Sequence, residues 1–150
     1  MGDFTSHMDS AIIQAKAAAA RGEVPVGAVL LNAKGQVVSQ AGNQTRALND
    51  PSAHAEILAI RAACKAAKSE RLPGHRLYVT LEPCAMCAAA ISLARIDVLY
   101  YGASDQKSGG VEQGARVFDH PQCHHKPEIY AGINEAACSD LLTAFFASRR

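Results

Sequence analysis

Apolar and polar positions repeat along the chain with two different periods, and each change of period marks a new element. Residues 8–21 repeat at helical spacing in an Ala-rich run, with Ile12, Ile13, Ala17 and Ala20 as the expected buried positions and Gly22 as the stop. Residues 23–31 form a β-rich run that admits Pro25 only near its start. A turn over 32–35 returns the chain into a second strand over 36–40, closed by Gly42-Asn43, so the pair reads as a hairpin. A polar loop reaches Asp50-Pro51. Residues 52–68 then predict a helix capped by Ser52 or Asp50, with Ile57, Leu58, Ile60, Arg61 and Cys64 along a mostly apolar face.

The break Leu72-Pro73-Gly74 precedes a strand over 76–81, an almost wholly apolar helix over 84–94 that should be deeply buried, and a strand over 97–101. Strand, helix and strand in so short a span predict a βαβ unit with parallel pairing. Between 102 and 127 the pattern weakens, and a stretch of that length in a compact domain is functional or carries irregular helix. Residues 128–130 form a short extended piece. Asn134 caps a last helix to 148, with Ala137, Leu141, Leu142, Phe145 and Phe146 as its apolar side. The elements describe an α/β fold, helices layered on one mixed sheet, in a single domain over residues 1–150; strand order does not follow from the pattern.

Composition narrows the classes. With 150 residues, 49% of them hydrophobic, the chain can bury one substantial core. No run approaches the roughly 18 to 20 apolar residues of a membrane span. Residues 1–7 lack the basic start and apolar stretch of a signal peptide, so a cytoplasmic protein with no membrane partner is expected. A net charge of +1 excludes nucleic-acid binding driven by bulk charge and leaves only a local basic face. Five cysteines, an odd number, argue against a disulfide framework and for reduced thiols, some of them metal ligands.

The candidate chemistry begins at Pro83-Cys84-Ala85-Met86-Cys87. Two cysteines three apart at a helix start put both sulfurs on one face, and the positive end of the helix dipole favours thiolate. That is half of a zinc site. His54-Ala55-Glu56, at the start of the preceding helix, offers the other half. Three protein ligands, His54, Cys84 and Cys87, leave one tetrahedral position for water, the catalytic rather than the structural arrangement. Glu56 is the candidate base, although on a regular helix it would point roughly 200° from His54, so irregular geometry at the helix start must bring them together. A lone C-x-x-C is also compatible with redox or structural roles. The combination H-x-E with P-C-x-x-C is the signature of zinc deaminases.

These motifs resemble those of the bacterial tRNA-specific adenosine deaminases, a branch of the cytidine deaminase-like zinc deaminases. The resemblance extends over almost the whole chain. It is carried by Glu23-Val24-Pro25-Val26-Gly27-Ala28-Val29, Gly42-Asn43, Ala53-His54-Ala55-Glu56-Ile57 and Tyr78-Val79-Thr80-Leu81-Glu82-Pro83-Cys84-Ala85-Met86-Cys87, with Ser92 to Ile96, Tyr101-Gly102-Ala103 and Phe145-Phe146 also fitting. It implies a three-layer α/β/α cytidine deaminase-like fold with a central mixed sheet, a homodimer, and one Zn2+ per subunit on His54, Cys84 and Cys87. It implies hydrolytic deamination of adenosine to inosine at the wobble position of a tRNA anticodon, with an arginine tRNA stem-loop as the expected substrate. Glu56 would take the water's proton and return protons to N1 and the departing amine. Asn43 matches the position that hydrogen-bonds the base, and backbone amides near Ala55 and Cys84 would complete the pocket. Val24 and Ala53 are either its walls or plain core.

RNA contacts are expected from Asp105 to a ribose 2′-hydroxyl, from Lys107 to phosphate, and from Phe145, Phe146, Arg149 and Arg150. The other reading of those residues is a solvated loop and a core-facing aromatic pair. A free nucleobase or nucleoside deaminase of guanine or cytosine type is the alternative function, and a structural-zinc interaction protein is the non-enzymatic one. Cys123-His124-His125 lacks a clear fourth ligand and predicts no second metal, while His120 could meet phosphate. Cys64 and Cys138, on apolar helix faces, read as buried thiols.

Overall fold

The structure, a computed structural model, describes residues 6–149. In chain order the elements are helix α1 (Met8–Ala20), strands β1 (Gly27–Leu31) and β2 (Val37–Gly42), helix α2 (Ala55–Ala67), strand β3 (Arg76–Leu81), helix α3 (Ala85–Leu93), strand β4 (Val98–Ala103), strand β5 (Glu128–Tyr130) and helix α4 (Glu135–Ala147). A short 3-10 turn, Val117–Asp119, interrupts the weakly patterned stretch before β5. The sheet order is β2-β1-β3-β4-β5. β1 runs antiparallel to both β2 and β3, whereas β3, β4 and β5 are parallel, so the sheet is mixed and β3–α3–β4 is the expected βαβ unit.

Every residue of β1 and β4 is buried because helices cover both faces of the sheet. Val29, Leu31, Tyr78 and Tyr100 meet Met8, Ala11 and Ile12 of α1 and Cys138 of α4 on one face. Ala28, Leu30, Leu77, Val79 and Leu99 meet Ala59, Ile60 and Ala63 of α2 and Ala88 and Ile91 of α3 on the other. These are the three layers. Neighbouring Tyr78 and Tyr100 stack at 4.2 Å between ring centroids, and Tyr130 continues the stack across β5 at 5.3 Å.

Three expectations need correction. In α1 the buried face is Met8, Ala11, Ile12, Ala15 and Ala18, while Ile13 is 63% exposed and Ala17 and Ala20 also face outward. The phase is set across the interface: a Cβ at Gly27 would lie 2.6 Å from the Ala15 amide nitrogen, and one at Gly42 2.7 Å from the Gln14 carbonyl oxygen. The helix backbone lies directly on two glycines, and only its small side chains fit there. Second, α3 is not buried all round. Cys87, Ala88, Ile91 and Ser92 face inward, but Met86 and Leu93 are exposed, Leu93 by 71%. Third, α4 buries only Cys138 fully. Leu141, Leu142 and Phe145 are half-buried, and Ala137 and Phe146 are exposed.

Candidate active site

Two helix starts converge. His54 is the N-cap of α2 and Cys84 the N-cap of α3, both in extended backbone conformation, and Cys87 lies in the first turn of α3. The His54 side chain makes no capping bond to its own helix. The His54 Nδ1 atom instead lies 3.6 Å from Cys84 Sγ and 3.5 Å from Cys87 Sγ. Among the described residues these three are the one group of His, Cys, Asp or Glu donors close enough to share a metal, all within 4.8 Å of one another. A tetrahedral zinc with Zn–S near ~2.3 Å and Zn–N near ~2.05 Å needs S and N about 3.6 Å apart. The observed spacing therefore fits zinc without rearrangement.

The electrostatics agree with a cation site. Hydrogen bonds from the Cys87 thiol and from His54 pull Cys84 down, against its burial, while the same bond to Cys84 pushes Cys87 up, so one thiolate stands ready and the second thiol gives up its proton when a cation binds. The bond to Cys84 in turn pushes His54 up. Glu56, 4% exposed, is the second residue of α2. Because His54 lies on the cap and outside the helix proper, the regular-helix angle between the two does not apply, and both line one cavity. Burial pushes the Glu56 carboxyl up to about 7, and the nearby His54 charge only partly offsets it.

That inner cavity, about 240 Å³, is also lined by Val24, Val26, Asn43, Thr45, Leu81, Cys84 and Asp105. Asn43 is buried, and its Oδ1 accepts the Ala55 N–H at 2.8 Å. Only the carbonyl oxygen can accept from an amide, so the side chain is oriented with its Nδ2 donor left for the cavity. Ala55 lines neither this cavity nor the next, and its N–H is already taken by Asn43. Ala53 is wholly buried, which suits the plain core reading.

A wider recess of about 600 Å³ adjoins the inner one, sharing Val24, Leu81, Asp105 and Ser108 and adding Lys107, Leu142 and Phe146. Phe145 lines neither cavity. It meets Phe146 edge-on at 5.4 Å, and the Arg149 guanidinium sits 4.5 Å above its ring. Arg150 lies outside the described residues. Cys123 and His125 are engaged elsewhere: the His125 ring donates to the Ile96 carbonyl at 2.7 Å, and Cys123 contacts Ser92 Oγ at 3.3 Å. His120 donates to the Ala115 carbonyl at 2.8 Å. Burial pushes the thiols of Cys64 and Cys138 up, the latter to about 11.

Two carboxylates that sequence reasoning left without a role frame this site. Glu82, 2% exposed, accepts from five donors, and Glu23, 1% exposed, from three. Their only sequence signal is that each opens a segment leading into the cavity, Glu23-Val24 and Glu82-Pro83-Cys84.

A layered α/β/α sheet with a two-cysteine, one-histidine site at its helix starts, a buried carboxyl beside it, is the architecture of a zinc-dependent deaminase. Residues 2–103 match the family described as the cytidine and deoxycytidylate deaminase zinc-binding region, and the chain belongs to that family. A protein of Agrobacterium fabrum (strain C58 / ATCC 33970) named tRNA-specific adenosine deaminase is 54% identical over 150 residues, covering all of this chain and 98% of its own length. One of the same name from Bacillus subtilis (strain 168) is 41% identical, covering 96% and 89%. A solved structure from a study of A-to-I editing by tRNA:A34 deaminases at the wobble position of transfer RNA superposes with a TM-score of 0.88 at 56% identity, over 90% of this chain and 97% of that one. A guanine deaminase of Nitrosomonas europaea, at 20% identity and a TM-score of 0.76 over 94% of this chain and 83% of its own, shares the fold alone.

Proposed function

We propose that this chain is a tRNA adenosine deaminase, converting the wobble adenosine of an anticodon to inosine, and that residues 1–150 act as one zinc-dependent domain. The observation that carries the reading is the inner cavity, where the metal-binding group and the buried Glu56 carboxyl meet at the floor of a recess that opens into a wider one. A base must leave its stack to reach such a floor, and an anticodon loop presents one already splayed. The names and identities of the relatives support the same substrate.

His54, Cys84 and Cys87 would hold Zn2+. When bound there, the metal supplies the Lewis acidity that makes water a nucleophile near neutral pH. Two thiolates and a neutral imidazole cancel its charge, which weakens that acidity and leaves more of the proton transfer to Glu56. Burial raises the Glu56 carboxyl above the usual carboxylate range, which suits a group that must both accept and donate a proton. Glu56 takes one proton from water, whose oxygen bonds to C6, and delivers it to N1; it then takes the remaining proton from that oxygen, which closes to the C6 carbonyl, and delivers it to the exocyclic amine. The C6–N bond breaks, ammonia leaves and inosine remains.

Asn43 presents Nδ2 to an acceptor on the base, and Val24 walls the pocket. Asp105 receives the ribose 2′-hydroxyl, Lys107 a phosphate, and Phe146, with Phe145 behind it, a flanking base. The substrate is the anticodon stem-loop of an arginine tRNA, in the cytoplasm. Among the described residues no helix is long and apolar enough to cross a membrane. The exposed Met86 and Leu93 on the outer face of α3 support a homodimer.

The test is deamination by zinc-loaded protein of that stem-loop, read as inosine, beside free adenosine, cytidine and guanine. Inosine from the stem-loop with no ammonia from the free compounds is expected, and ammonia from free bases alone would overturn the assignment.

A further inference from the structure

Among the described residues no lysine or arginine side chain forms an ion pair with the buried carboxylates Glu82 and Glu23, although the Arg21 charge favours the Glu23 carboxylate from nearby; the donors are backbone amides and hydroxyls of the two loops that form the cavity's rims. Glu82 Oε1 accepts from Ser104 Oγ at 3.3 Å and from the Asp105 amide at 3.0 Å. Its Oε2 accepts from the amides of Val111, Glu112 and Gln113 at 3.1, 2.8 and 2.9 Å. One oxygen thus holds the start of the loop over 104–113 and the other its end. Glu23 does the same for the opposite rim, with Oε1 accepting from the Arg46 amide at 3.1 Å and Thr45 Oγ1 at 3.4 Å, and Oε2 from the Ala47 amide at 2.8 Å.

Neither loop has regular structure of its own at these positions, so its shape depends on such anchors. The 104–113 loop also lies directly on the turn that carries Cys84. The Gly110 amide donates to the Pro83 carbonyl at 2.8 Å, and a Cβ at Gly109 would sit 2.7 Å from the Glu82 carboxyl carbon. Within the loop, Asp105 Oδ1 accepts from the Lys107 and Ser108 amides at 3.2 and 2.9 Å, so the loop's path settles where the Asp105 carboxylate points.

We propose that Glu82 and Glu23 are positioning residues for the substrate, Glu82 by fixing the Asp105 rim against the metal-binding turn and Glu23 by fixing the Thr45 rim. This rests on the reading of the cavity as the adenosine site. Neither carboxylate exchanges a proton with the base. Each acts through the loop it closes, as supporting groups around metal sites act through the residues they orient.

Glu82→Gln separates this role from plain stability. An amide has one acceptor oxygen, which loses fewest bonds by keeping the three amides at 111–113 and turning its NH2 toward Ser104 and Asp105. Hydrogen exchange at the Asp105 amide is therefore expected to quicken while residues 111–113 stay protected. With the zinc-loaded enzyme and an anticodon stem-loop, KM is expected to rise about tenfold or more, with kcat within about threefold and zinc content unchanged. A lowered melting temperature with unchanged KM, unchanged exchange at Asp105, or loss of zinc in step with activity would overturn the proposal. Should Glu82→Gln not fold, Gly109→Ala displaces the same loop with Glu82 intact and is expected to raise KM alike; unchanged KM there overturns it too. If wild-type enzyme leaves the stem-loop untouched, the adenosine reading fails first and this proposal falls with it.

Discussion

At the scale of single residues, Asn43 joins two parts of the site. Its Oδ1 satisfies the first amide of α2 at 2.8 Å, and its Nδ2 is what remains for a ligand in the cavity. Asn43→Asp keeps the acceptor and the shape but replaces the donor with an oxygen. We expect it to retain zinc and melt close to wild type while losing on the order of 100-fold or more in kcat/KM, because a buried site built to donate rejects a mismatched group strongly. Asn43→Ala should in addition cost about 1–3 kcal/mol in urea unfolding, since it leaves the Ala55 amide without its acceptor. Glu56→Gln should hold zinc by metal analysis and lose about 10²–10⁴-fold in kcat, the range of a missing proton carrier. The grouping of His54, Cys84 and Cys87 was legible in the sequence because short motifs tie them to two helix starts, whereas spacing alone pointed Glu56 away from His54 and only the cap geometry brings both to one cavity. Glu82 was not legible, because its donors stand 22 to 31 positions away on a loop with no periodic pattern.

At the scale of elements, hydrophobic periodicity located each helix and strand, and ends moved by a few residues where caps intervened. α2 begins at Ala55, with the chain before it extended so that the His54 ring reaches the cysteines. What periodicity could not supply was the phase of α1, since in a run of alanines every face is nearly equally apolar. The deciding information lies in Gly27 and Gly42, on strands the helix has yet to meet. Gly27→Ala should therefore cost more than about 3 kcal/mol in urea unfolding, as the new methyl meets backbone that cannot turn aside. Gly35→Ala is the control. Its site is open, with nothing within 4 Å, and only its left-handed φ of +79° is violated, so about 1–2 kcal/mol is expected. If the two variants were equally mild, the close contact between α1 and the sheet would not be what sets the helix's phase.

For the whole molecule, the layered sheet sets two helix starts side by side and leaves loops to wall the cavity, so stability and site share the same buried charges. Burial pushes the Glu23 carboxyl up, but the Ala47 and Arg46 amides and the Thr45 hydroxyl outweigh it and hold it below its ordinary 4.5. Folding therefore gains from the charged form above that value. As pH falls below about 4.5, the unfolded chain takes up the proton first, and the gain is lost as pH passes down through the lower folded value. Glu23→Gln removes this contribution and should be less stable at neutral pH. Its melting temperature should then fall less steeply than that of wild type between about pH 5 and pH 3. Metal would obscure the comparison, because thiolate ligands take up protons and release zinc over a range of acid pH. Calorimetry on chelator-treated protein removes that linkage and leaves the carboxylates in view. Parallel acid limbs for wild type and Glu23→Gln would show that the three donors at the Thr45 rim do not hold a charge. A shallower limb for the variant would place the same carboxylate in both the stability of the fold and the shape of the cavity.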